Sequence, residues 1–116
     1  MIRYRRDYID AGELDERITL QKPITSKDGF GDVTPTWTDV VNGGVWAKRR
    51  ETRATETFEE DRLVAKTITE FTIRYRPDVN PTYRVVDADG KVYEIHGIQR
   101  VGRRRWLKLT TEVRSA

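Results

Sequence analysis

The sequence predicts a mainly β domain, a small antiparallel barrel or sandwich of about seven short strands with one short α-helix near residues 56–64. Three observations carry this. Apolar residues recur at period two in several short runs, glycine-, proline- and aspartate-rich turns separate those runs closely, and only one segment breaks the alternation. The chain has 116 residues, enough for one domain rather than two, and no internal repeat or low-complexity linker divides it.

Residues 1–11 are polar and basic and read as an N-terminal arm; residues 12–116 form the domain. Ile18 and Leu20 alternate with Arg17, Thr19 and Gln21, as in a half-buried strand, and Pro23 is expected to end it. The turn-rich stretch from Thr25 to Asp32 is longer than a tight hairpin requires, so a projecting loop over 23–35 is expected. Strands follow at 33–41 and, after Asn42-Gly43-Gly44, at 45–48. Thr57-x-x-Glu60 then has capping-box spacing ahead of Leu63 and Ala65, which predicts the helix. Thr69, Phe71, Ile73 and Tyr75 share one face of the next strand. Tyr83 to Val86 is a short strand, and Asp87-Ala88-Asp89-Gly90 a hairpin turn. The strand from Val92 to Val101 carries Gly97 as the mark of a bulge, and Trp106 to Val113 closes the domain with Leu107, Leu109 and Val113 alternating.

Composition narrows the function. With no cysteine, disulfides, thiolate nucleophiles and cysteine metal sites are excluded. A single histidine, His96, leaves one candidate general base, and Glu94 two residues away shares its face without supplying a nucleophile. A hydrolase built on His96 would lose turnover in His96→Ala, but the residue reads better as structural. The sequence points to no enzyme, no catalytic residue, no cofactor and no metal. No apolar run approaches the ~18–20 residues of a membrane span, and the basic start lacks the apolar stretch of a signal peptide, so a soluble protein made in a cytoplasm is expected.

Charge is where the sequence is distinctive. The net charge is +3, and 16 of the 22 basic residues are arginine, the side chain suited to desolvated interfaces and phosphate. Residues 51–62 carry a net −3, with Glu56, Glu59 and Glu60 among the acids; residues 97–116 carry a net +5, centred on Arg103, Arg104 and Arg105 beside Trp106. The basic turn reads as a phosphate contact, as a solvated turn, or as one half of a head-to-tail contact whose other half is the acidic segment of a second copy. The glycine-rich segment around Asp28 is no phosphate loop, since it lacks Gly-Lys-Ser/Thr and a following helix.

The ordered series Gly12-x-Leu14-x-x-Arg17-Ile18-x-Leu20-Gln21, Asp28-x-x-Gly31, Trp37, Val45-Trp46-Ala47, the acidic segment, Phe71-Thr72-Ile73-Arg74-Tyr75-Arg76, Arg84-Val85, and Tyr93-Glu94-Ile95 with Gly97-Ile98 resembles the head–tail joining (head-closure, stopper or head-completion) family of tailed bacteriophages. The resemblance spans about residues 12–113, so the basic arm inherits nothing from it. It implies a small β-barrel with one helix, working as a homo-oligomeric ring in the virion. The ring lies beneath the portal and adaptor proteins, closes the DNA channel after packaging, and offers a docking face to the tail terminator or other tail proteins. Packaged DNA is then a neighbour, no membrane is involved, and a monomer in solution is compatible with assembly on a template. From this reading the loop residues Lys27, Asp28, Phe30 and Asp32 are candidates for the channel or for docking. Arg103, Arg104, Arg105, Glu56, Glu59 and Glu60 are candidates for a subunit interface or DNA contact. The alternative is a stand-alone nucleic-acid-binding barrel using the arginine-rich hairpin.

Overall fold

The computed structural model describes residues 9–27, 33–52, 55–59 and 62–114; at 26–27, 33–34, 55–59 and 62–66 it describes the backbone path alone. Among the described residues the first element is a 3-10 turn, Ala11–Glu13. The Asp10 carboxylate accepts from the Gly12 N–H at 3.0 Å, and Glu13 closes the capping box. Nine strands follow among the described residues: β1 (Glu16–Lys27), β2 (Val33–Asp39), β3 (Val45–Glu51), β4 (Thr55–Glu59), β5 (Arg62–Lys66), β6 (Ile68–Arg74), β7 (Arg84–Val86), β8 (Val92–Val101) and β9 (Trp106–Val113).

Seven of them form one sheet in the order β2-β1-β3-β6-β9-β8-β7, and an additional β1–β7 pairing closes it. The result is a six-stranded antiparallel barrel with β2 as an extra strand outside the ring. Closure removes the open edges that a sheet this small would otherwise expose. The alternation seen in the sequence fills the interior. Ile18, Leu20, Ala47, Phe71, Ile73, Val85, Tyr93, Leu107 and Leu109 are all buried, and the Phe71 and Tyr93 rings meet edge to face with centroids 5.1 Å apart. Thr111, not Val113, continues the inward series of β9; its hydroxyl donates to the Thr69 carbonyl at 2.7 Å, while Val113 is exposed. The expected bulge lies between Ile95 and Gly97.

The helix expected near residues 56–64 is not formed. That segment is the β4–β5 hairpin, a two-stranded sheet of its own. A nine-residue helix is marginal without tertiary packing, and the β-branched Thr55 and Thr57 favour an extended chain. Register also sets Phe58 opposite Leu63 and Glu59 opposite Arg62, an apolar and an opposite-charge pair that support a ribbon.

Pro23 does not end β1 either. The strand runs on to Lys27, paired with β2 from Gln21↔Asp39 to Lys27↔Val33. The Val40 N–H donates to the Leu20 carbonyl, so even-numbered residues of β1 face β2 and the ring nitrogen of Pro23 falls on the other edge, past the end of the β7 pairing at Gln21↔Arg84. No ladder hydrogen bond is lost. The projecting loop expected over 23–35 is therefore largely a β1–β2 ribbon.

Candidate interaction surfaces

Register alone creates the first feature. Arg17 lies directly opposite Trp46 and Arg74 directly opposite Trp106. Each guanidinium lies over its indole, at 5.0 Å and 5.5 Å from the ring centroid. Arg84 lies 4.2 Å over Trp37, which completes the set, so every tryptophan of the chain carries an arginine. Arg100 stands 5.9 Å over Tyr75. Stacking orients a guanidinium and leaves its N–H edge free for a partner. Arg17 spends one of its N–H groups inside the fold, donating to the Gly43 carbonyl at 2.6 Å.

The Arg17–Trp46, Arg74–Trp106 and Arg100–Tyr75 pairs gather at one end of the barrel, whereas Arg84 and Trp37 line a separate cleft. The β8–β9 turn places Gly102 (φ 70°) and Arg104 (φ 55°) in the left-handed region, and the Tyr75 N–H donates to the Arg105 carbonyl at 2.9 Å. A cleft of about 460 Å³ lies between Arg74, Tyr75, Arg104, Arg105 and Trp106. A second, of about 320 Å³, adds Ala11, Leu14, Val45, Trp46 and Arg76, and the two share Arg74 and Tyr75. Among the described residues, Arg74, Arg100, Arg103, Arg104 and Arg105 form no ion pair, whereas Arg76 is held by both oxygens of Asp78.

The acidic ribbon springs from the other end. It leaves β3 after Glu51 and rejoins at Ile68, where Thr52 donates to the Ile68 carbonyl through both its N–H and its hydroxyl. In β6, Ile68 pairs with Glu112 and Arg74 with Trp106. Six residue steps at about 3.3 Å put roughly 20 Å between the base of the ribbon and the arginine turn.

Near that base a compact polar cluster seals the core. Arg49 lies over Tyr93 at 5.4 Å and ion-pairs with Glu51 at 2.9 Å, Asp87 at 3.4 Å and Glu16 at 3.8 Å. Burial works to raise the Asp87 carboxyl, but N–H groups of Lys91 and Asp89, the Tyr93 hydroxyl and Arg49 together hold it below the usual carboxylate range. Burial and the bond to Asp87 push Tyr93 up to about 12. For Arg49, burial opposes the charge, and its acidic neighbours and Tyr93 outweigh that, so it stays firmly protonated.

His96 is half exposed and meets the Glu112 carboxylate at 3.0 Å. It lines a polar cleft of about 320 Å³ with Trp37, Thr82, Arg84 and Arg114. Burial and the neighbouring Arg114 both lower the Arg84 pKa, and its Nε donates to Gln21 at 2.8 Å. Among the described residues no group of three His, Cys, Asp or Glu side chains could hold a metal ion. No helix there is long and apolar enough to cross a membrane.

Of the residues singled out in the sequence, Arg104 and Arg105 converge with Arg74 and Trp106, and Arg103 lies beside them in the exposed turn. Glu56 and Glu59 fall in β4 and Lys27 ends β1, with only the backbone described. Asp28, Phe30, Asp32 and Glu60 lie outside the described residues. The stacked arginine–tryptophan pairs were not anticipated; Trp46 and Trp106 were readable as partners of Arg17 and Arg74 only once register was known.

The fold has relatives among solved structures. A chain in the virion of a native gene transfer agent particle superposes with a TM-score of 0.62 at 19% identity, over 83% of this chain and 91% of that one. Protein SF1141 from Shigella flexneri 2a does so with a TM-score of 0.65 at 24% identity, over 90% and 96%. No curated protein matches the chain. Residues 9–114, nearly the whole chain, match the family described as phage head completion protein, in agreement with the motif series; the chain belongs to that family.

Proposed function

We propose that the chain is a structural part of the phage connector, assembling as a ring below the portal and adaptor, closing the DNA channel after packaging and presenting a face to the tail. On this reading it is made in the host cytoplasm and works in the virion. It breaks no covalent bond. Family membership and the likeness to a gene transfer agent virion chain support the setting. The observation that carries the assembly is the separation of charge along β6: an arginine surface without acidic partners among the described residues at one end, and an acidic ribbon rooted at the other. Such a subunit has two different complementary faces, as a heterologous ring contact requires. The β1–β2 ribbon, with Lys27, Asp28, Phe30 and Asp32 at its connection, is the segment proposed to reach the channel or an adjoining ring.

The test is complementation. Particles made without this protein should package DNA and then lose it, and adding the purified chain should restore retention and tail joining. Normal DNA-filled, tailed particles in its absence would overturn the proposal. A stand-alone nucleic-acid barrel is favoured by the arginine turn, but base stacking needs open ring faces, and Arg74 already occupies one face of Trp106. That reading predicts tight binding of free single strands with a steep salt slope.

A further inference from the structure

Trp46 is the most exposed large apolar side chain among the described residues, at 51%, although Arg17 lies over one of its faces. Beside it Ala11, Leu14 and Val45 give the second cleft an apolar floor, and Arg74 links that floor to Arg104 and Arg105. The cleft thus offers an apolar seat with a rim of guanidinium groups that form no ion pair among the described residues. Phosphate has no use for the apolar part; an apolar side chain followed by carboxylates fits both parts.

The chain holds one segment of that chemistry. In the β4–β5 ribbon, Phe58 lies opposite Leu63 and Glu56 opposite Ala65, so these four share one face. The sequence across its tip is Phe58-Glu59-Glu60-Asp61. Among the described residues the ribbon's strands pair only with each other, and a lone two-stranded ribbon is marginal in water without a surface to pack on. Ribbon and cleft belong to opposite ends of β6, which suits contact between copies rather than within one.

We propose that the Trp46 cleft is the seat for the β4–β5 ribbon of a second copy. Phe58 and Leu63 pack against Leu14, Val45 and Trp46, and Glu56 on the same face, with the acidic tip, meets Arg74, Arg104 and Arg105. This rests on the ring reading above and names the two surfaces that build the ring.

The absence of cysteine makes the test direct. Ala11→Cys and Ala65→Cys chains are prepared separately, mixed in equal amounts, added to heads lacking the protein, and treated with a short bismaleimide cross-linker. A cross-linked dimer should form in the mixture and in neither variant alone. Adding Trp46→Ser to the first chain or Phe58→Ser to the second should reduce its yield at least tenfold while thermal unfolding remains cooperative. A ring layer in electron micrographs without the mixed dimer would overturn the cleft assignment and leave the ring standing. Absence of any ring layer would overturn both. A cross-link to a different virion protein would give the cleft to that protein and reject the second copy.

Discussion

The Tyr93 hydroxyl donates to the Asp87 carboxylate at 3.0 Å, which ties the largest fully buried side chain of the barrel to the turn between β7 and β8. The same carboxylate accepts from the Asp89 and Lys91 N–H groups, so one buried acid fixes a turn and orients a core ring. Two titrations follow. Asp87 is held low in the folded state, so its contribution is present above the ordinary carboxylate range and is lost as pH falls through its folded value. Stability should fall in acid, and Asp87→Asn should flatten that acid limb while costing about 1–3 kcal/mol near neutrality. Urea unfolding from pH 2 to 7 checks both.

Tyr93 behaves in the opposite sense. Its folded value of about 12 lies above the ordinary 10, so its contribution is complete below pH 10 and drains away as pH rises toward 12. The whole effect is about 2–3 kcal/mol. Tyr93→Phe should remove this alkaline loss, seen as a flatter stability curve between pH 10 and 12.

Gly44 sits at φ 81°, and a Cβ there would come within 2.5 Å of the Ile18 carbonyl oxygen. That oxygen belongs to a barrel strand and cannot move aside cheaply. Gly44→Ala should cost about 2 kcal/mol or more, read as a lowered midpoint in thermal or urea unfolding.

Arg103, Arg104 and Arg105 occupy an exposed turn without ion-pair partners among the described residues, so changing all three to serine should move stability by about 1 kcal/mol at most. The same variant should fail to form or join the ring, judged by DNA retention in complemented particles. A variant that both folds and complements normally would remove these residues from the interface.

Replacing residues 28–32 by Asn-Gly should leave the barrel folded, because β1 and β2 pair as far as Lys27↔Val33 and a two-residue turn can close such a ribbon. Particles carrying it should lose DNA or fail to join tails. Unchanged particles would dismiss Asp28, Phe30 and Asp32.

Much of the barrel was legible because period-two burial is a local signal. Ile18, Leu20, Phe71, Ile73, Leu107 and Leu109 all turned inward as their alternation required. The β4–β5 ribbon was misread because Thr57-x-x-Glu60 fits a cap as well as a strand, and cross-strand pairs such as Phe58↔Leu63 are invisible until register is known. Pro23 was misread because whether proline breaks a strand depends on which edge its nitrogen faces. The basic turn was legible from charge alone. Its association with Arg74 and Trp106 was not, since that requires knowing that β6 and β9 are neighbours.

Cryo-electron microscopy of complete particles shows whether the barrel assembles as a ring. A ring of copies of this barrel should lie between the portal–adaptor assembly and the tail, each copy's arginine turn facing the β4–β5 ribbon of the next. A connector that holds DNA and tail with no such ring would contradict this assembly.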